Sequence, residues 1–277
     1  MRINMMKMIA WSLLLCAFVA KAQQKADTSA WKHSVVAGLT ATQVSYTDWA
    51  QGGENAFAWT TTLNGKSSYE PASYTWTTTY NFAYGNTKLG TQGLRKTDDN
   101  IDIASTLTYK LDVYVNPYVS ATFRTQFSKG YTYDAVGNGT AISDFFDPAF
   151  LTQGAGAGYQ PIPEVKTRFG LALREIMASE YRQFSGGHTS QVDGGLQSIT
   201  EVSASLDDNL LFKAKLELFS AFRKMDEVIV RSDNTLTAKI NKYFSTNIDV
   251  QIIQEKPITP RTQVKQTIAL GFSYVLF

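Results

Sequence analysis

Few side chains in this sequence have the types and spacing needed for bond-making chemistry. The sharpest arrangement is His188-Thr189-Ser190. A hydroxyl becomes a useful nucleophile only beside a base, and an imidazole base needs a third group to orient it. Here the pair sits between Gly186-Gly187 and Gly194-Gly195, a pattern that predicts a polar loop rather than a rigid strand. The other histidine, His33, falls at the start of an extended segment and reads as an interfacial polar residue. Asp98-Asp99 and Asp207-Asp208 would suit carboxylate-assisted proteolysis if they met a histidine at one rim. The predicted connections place them at opposite ends. Metal sites built on His or Cys lack material. Calcium held by Asp98 and Asp99, or by Asp144 and Asp147, remains open, although no EF-hand spacing supports it. No catalytic residue, no metal and no cofactor is therefore assigned.

A binding element is easier to name. Trp49, Gly52, Gly53, Glu54 and Asn55 lie in the segment WAQGGEN. An indole offers a flat apolar surface, paired glycines allow unusual backbone angles, and the last two side chains can hydrogen-bond. This segment is either a surface binding element or a loop folded inward to brace or plug what lies beneath, with Trp49 buried.

The elements that would carry these residues are strands. From Tyr74 to Gly85, the residues Tyr74, Trp76, Thr78, Tyr80, Phe82 and Tyr84 alternate with Thr75, Thr77, Thr79, Asn81, Ala83 and Gly85. A period of two places one set on each face of a strand. An aromatic face opposite a small hydroxylated one suits a membrane barrel, with aromatics toward lipid and polar residues inside. Similar alternation recurs along the chain and predicts about twelve strands of an antiparallel transmembrane β-barrel, an all-β fold. The short connections near 70–73, 112–114, 161–164, 207–209 and 242–243 read as periplasmic turns. The longer ones, including 89–100, 129–147 and 177–195, read as extracellular loops. Pro117 belongs near a strand end or bulge, because it cannot donate to a ladder. A soluble sandwich also uses many strands, but these are longer than it requires. The assigned inward faces carry Lys110, Arg124, Lys166, Arg168, Arg174, Lys213, Lys215, Glu217, Arg231, Lys239 and Lys265, with Asp102, Asp112, Glu201, Asp233 and Asp249. Such a mixture either fills a small lumen with paired charges or lines a narrow water path favouring anions.

Residues 1–22 have the layout of a cleaved signal peptide: Arg2 and Lys7, an apolar run from Met8 to Ala20, then Ala20-Lys21-Ala22. Cleavage near Ala22 leaves residues 23–277 as one barrel domain without cysteine, because Cys16 is removed. Cys16 as a lipidation site is disfavoured by Leu15 before it. Of 26 Lys and Arg, Arg2, Lys7 and Lys21 lie in this leader, leaving 23 against 24 acids. That balance gives no basic excess for nucleic acid. With no later run long enough for a membrane helix, the expected place is the outer membrane of a diderm bacterium. The expected partners are its lipids, the barrel-assembly machinery during insertion, and a surface ligand or small solute.

Several local patterns together resemble an outer-membrane barrel family known as domain of unknown function 3078, of Bacteroidetes-type bacteria. They are Gln43-x-Ser45, Trp49-Ala50-x-Gly52-Gly53-Glu54-Asn55, Lys96-Thr97-Asp98-Asp99, Thr125-Gln126-Phe127 with Gly130-Tyr131, Pro148-Ala149-Phe150-Leu151-Thr152, Leu216-x-Leu218-Phe219-Ser220 and Asn241-Lys242-Tyr243, with the closing strand. The resemblance implies fold and location and supplies no activity. Separately, His188-x-Ser190 is similar in spacing to outer-membrane phospholipase A, whose orienting position falls here on Val202. The expected function is accordingly structural or surface-binding. A narrow, slightly anion-preferring channel and a lipid-active enzyme are the alternatives.

Overall fold

The computed structural model describes residues 31–45, 54–111, 114–256 and 258–275. Its strands are β1 (Trp31–Val44), β2 (Ala56–Tyr69), β3 (Tyr74–Leu89), β4 (Arg95–Tyr109), β5 (Val115–Thr125), β6 (Gly130–Tyr133), β7 (Gly139–Ser143), β8 (Ala149–Ile162), β9 (Val165–Met177), β10 (Ser190–Asp207), β11 (Leu210–Ala221), β12 (Val228–Lys239), β13 (Phe244–Gln254) and β14 (Gln263–Val275). Twelve of them close into one antiparallel barrel in the order β1-β14-β13-β12-β11-β10-β9-β8-β5-β4-β3-β2. β6 and β7 form a separate two-stranded hairpin in the connection from β5 to β8. The proposed leader, residues 1–22, lies outside the described residues.

Register sorts the side chains. Tyr80 pairs with Ile103 and Phe82 with Ile101, while Asn81 between them pairs with Asp102. The same alternation places Phe169, Leu171 and Leu173 of β9 outward, where they are exposed, and buries Arg168 and Ala172 on the other face. On β14, Val264, Ile268, Leu270 and Phe272 are exposed on the outer face. An apolar belt outside, a charged and hydroxylated interior and a sheet with no open edge define a transmembrane β-barrel. No described helix is long and apolar enough to cross a membrane; this barrel crosses with strands.

The strands begin or end away from their expected bounds at several places. Arg95–Asp99 belongs to β4 and not to a loop: Asp98 faces inward opposite Gly85, while Lys96 and Asp99 on the other face bond each other and the chain leaving β5. β10 begins at Ser190, inside what reads as the glycine-rich loop 177–195. Gly195 is there because a Cβ would fall 2.2 Å from the carbonyl oxygen of Ser220. Phe127 lies past the end of β5, and Phe222 opens a short 3-10 turn after β11. Pro117 is the third residue of β5, close to its start. The closing residue Phe277 lies outside the described residues.

β8 and β9 approach closely where Gly156 pairs with Gly170. A Cβ on Gly156 would meet the Phe169 carbonyl oxygen at 2.1 Å, and one on Gly170 would meet that of Ala155 at 2.1 Å. The glycine-rich run of β8 is thus a wall without inward side chains.

Leu171 lies near the middle of β9 on the exposed belt. Leu171→Arg should lower folding stability in lipid vesicles by about 2–4 kcal/mol, measured by denaturant titration of refolded barrels. An unchanged midpoint would mean that this face does not contact lipid.

Candidate functional site

The inward charges are joined across the lumen. Arg124 of β5 donates through Nε to Asp102 of β4 at 2.7 Å and through Nη2 to Glu217 of β11 at 2.6 Å. β5 and β11 stand four places apart round the ring of twelve, so this guanidinium ties facing walls. Lys215 adds a second cation to Glu217 at 2.6 Å. Toward the short turns, Arg168 of β9 donates to Thr106 of β4 at 2.8 Å and to Glu201 of β10 at 3.0 Å. Toward the other end, Arg174 of β9 bonds Glu255, just after β13, at 2.6 Å. Lys265 of β14 reaches Asp98 of β4 at 3.0 Å. A cavity of only about 90 Å³ remains at the Arg124 level, lined from β5, β8, β9, β10, β11, β12 and β13. Facing walls of one barrel meet there.

The end bearing the longer connections is knitted by two carboxylates. Asp99 accepts from the amides of Phe127 and Ser128, the Ser128 hydroxyl and Lys96 Nζ, fixing the chain as it leaves β5. Asp147 Oδ2 accepts from the Ser179 amide and hydroxyl and the Glu180 amide, tying the residues before β8 to those after β9. Gln126 donates to the carbonyls of Asp144 and Asp147. At the hairpin tip, the Asn138 side chain, followed by nearby backbone amides, holds the Asp134 carboxyl below its ordinary value. The Phe145 amide, with Lys129, does the same for Asp144. Over these ties stand exposed Tyr131, Tyr133, Val136, Phe145 and Phe146. Beside them is a cavity of about 220 Å³ bounded by Phe184, Asp193, Arg223, Lys224 and Glu227, with Arg174 and Glu255 below. Arg223 forks onto Asp193.

The residues singled out from sequence fall into separate places. Trp49, Gly52 and Gly53 lie outside the described residues, as does Asp112. Glu54 and Asn55 lead into β2: the Asn55 carbonyl accepts from the Gly90 amide at 2.7 Å, and the Glu54 carboxylate lies against Gly90. Arg124, Arg168, Arg174, Lys215 and Glu217 join the network above, and Arg231 and Asp233 pair at 3.3 Å. Asp249 accepts from Thr235 at 2.6 Å. Lys110 sits in the turn after β4, with Nζ on the Pro71 carbonyl, so it is a rim residue. Lys166, Lys213 and Lys239 face inward near the short turns. Ser190 Oγ donates to Glu175 at 3.2 Å, and the Ser185 hydroxyl donates to the His188 carbonyl. Val202 is on the outward face of β10, opposite Ala214. Asp98, Asp99, Asp144 and Asp147 are each engaged by other protein groups, and no three His, Asp or Glu side chains converge among the described residues. Missed by sequence reasoning are the Asp99 and Asp147 ties; a buried carboxylate serving backbone amides in a distant loop leaves no periodic signal.

Known proteins bear on one stretch of the chain and on its fold. Residues 41–131 match the family described as protein of unknown function (DUF3078). This stretch is similar to that family. It includes the WAQGGEN stretch, the Lys96–Asp99 run and Thr125–Phe127; the further patterns at 148–152, 216–220 and 241–243 fall beyond the matched residues. No curated protein matches the chain. Among solved structures, the chain is similar to the translocator domain of the autotransporter NalP from Neisseria meningitidis, with 12% identity, 97% of this chain and 95% of that one covered, and a TM-score of 0.39. It is also similar to an outer membrane channel from Pseudomonas putida F1, with 11% identity, 88% and 94% coverage and a TM-score of 0.39. A third is the NanC porin, at 12% identity, 87% and 97% coverage and a TM-score of 0.37. The barrel is defined by its own closed strand order.

Arg124→Ala leaves Asp102 and Glu217 facing a mostly buried space without their shared cation. Breaking such a pair from one side costs about 3–5 kcal/mol, and denaturant titration should show a loss of that size. A loss under about 1 kcal/mol would place these charges in bulk-like water. Asp147→Ala should open the connection between β9 and β10 to limited proteolysis while leaving the barrel heat-modifiable on gels.

Proposed function

We propose that the protein is an integral outer-membrane barrel with a closed lumen and no enzymatic role, whose outer connections form a fixed binding platform. The observation that carries this reading is the bridge from Arg124 to Asp102 and Glu217, which spans the lumen with mostly buried side chains. A conducting pore keeps a continuous water path, whereas here ion pairs cross the interior at successive levels. The Asp99 and Asp147 ties pre-organise the outer connections, which lowers the ordering cost of binding. The exposed aromatics of the β6–β7 hairpin are suited to an apolar or aromatic surface ligand. Glu54 and Asn55, which lead into β2, lie at the same end of the barrel, and in this reading Trp49, Gly52 and Gly53 are sequence neighbours to be tested with them. In this reading the outward belt contacts outer-membrane lipids, the barrel-assembly machinery inserts the chain, and residues 1–22 are a cleaved leader. The pairing of Ser190 with Glu175 gives no support to a lipid-active role.

Planar-bilayer recording of the refolded protein decides between platform and channel. The expected record is silent for the protein as it stands, with current steps appearing in the Arg124→Ser/Glu217→Ser double variant. Steps in the unaltered protein would replace this reading with the narrow anion-preferring channel.

A further inference from the structure

The outer rim of β4, β5 and β8 does not present a bare strand face. Asp99 stands opposite Tyr84 on the outward side of the β3–β4 ladder, and Lys96 stands there opposite Asn86. Charges turned toward lipid are costly when uncovered. Here the chain leaving β5 folds back over them. Asp99 accepts from the Phe127 and Ser128 amides, and Lys96 donates to the Ser128 carbonyl at 2.9 Å. Only 3% of the Asp99 side chain is exposed. The connection from β7 returns over the same face. Thr125 and Ala149 share the outward parity of Phe123 and Leu151, yet both are buried, and the Thr125 hydroxyl donates to the Pro148 carbonyl at 3.2 Å. Gln126 joins the two segments through the carbonyls of Asp144 and Asp147. This cover carries an apolar face of its own. The Phe127 ring lies 6.2 Å from that of Phe82 and 6.4 Å from that of Tyr84, both outward on β3. The Phe146 ring lies 5.5 Å from that of Phe123, outward on β5, and Phe145 stands beside it. Phe127, Phe145 and Phe146 remain 43%, 60% and 45% exposed. Unlike Tyr131 and Tyr133 of the hairpin, these rings carry no polar tip for water.

We propose that residues 126–128 and 144–148 form a flap docked in the outer leaflet of the membrane, with Phe127, Phe145 and Phe146 immersed among lipid acyl chains. The occupant is a lipid surface because the three rings continue the outward belt at Phe82 and Phe123 without a break. The flap has two effects. It shields the Lys96–Asp99 pair from hydrocarbon, and it gives the rim an apolar face where β4 itself is charged. This docking does not depend on whether the lumen is closed.

The test is power-saturation electron paramagnetic resonance on the full-length protein refolded in phosphatidylcholine vesicles, with Cys16→Ser removing the one native thiol. A nitroxide is attached at Phe145→Cys, the most exposed of the three rings, and separately at Phe127→Cys. Collisions are read with oxygen, which concentrates among acyl chains, and with a water-soluble nickel chelate. Leu171→Cys on the belt and Val136→Cys at the exposed hairpin tip set the lipid and water limits. Heat-modifiable migration checks that every variant folds. Both flap labels should match the Leu171→Cys label, with strong oxygen collision and loss of nickel collision. Nickel collision at either flap site equal to that at Val136→Cys would overturn the proposal and leave these rings to a soluble ligand. Dipolar broadening between flap labels would assign the face to a second copy of the chain, and protection from both reagents would assign it to the protein interior. Either result would also overturn the proposal.

Discussion

Everything in this molecule follows from the demand that no backbone amide or carbonyl be left unpaired in hydrocarbon. β1 meets that demand by pairing with β14, with Gly38 opposite Ser273 and Thr40 opposite Gly271. Closure fixes the direction of every Cβ, so each strand must give one face to lipid and one to the lumen. The Tyr80, Phe82, Leu171 and Ile268 positions and the Asp102, Arg124, Arg168 and Glu217 positions are two outcomes of the same geometry.

The inner face then poses its own problem. Charges confined by low-dielectric walls interact strongly, and an unpaired one is expensive. Over the middle and outer levels the protein answers with bonds between distant strands: Arg124, itself paired with Asp102 on the next strand, with Glu217, Arg174 with Glu255, and Lys265 with Asp98. These same bonds fill the bore. At the short-turn level the answer changes, since Lys66 and Lys213 are left exposed to water.

The fold was legible because alternation is a local property. Tyr74 to Gly85 shows its two faces without reference to any other strand, and so do β9, β11 and β14. Local patterns failed where long-range contacts decide. Lys96 and Asp98 look like loop residues until Lys265 and Ser128 are brought to them. Gly194-Gly195 looks like a break until the backbone of Ser220 lies against it. The β6–β7 hairpin has strands of four and five residues in a Gly- and Asp-rich stretch, too short for a periodic signal. The inward charges could be named from parity alone. Which of them meet across the bore depends on strand stagger, which no single segment encodes.

The bare wall of β8 has a consequence for how such a sequence can drift. A side-chain carbon at Gly154 would press on Gln197 Oε1 at 3.0 Å, and one at Gly158 would touch the Arg168 stem at 3.7 Å. The space those glycines leave empty is the space that β9 and β10 side chains occupy. Enlarging either side requires trimming the other, so replacements at 154 and 197, or at 158 and 168, are expected to be accepted as compensated pairs. Across generations these strands are free to exchange volume but not to gain it.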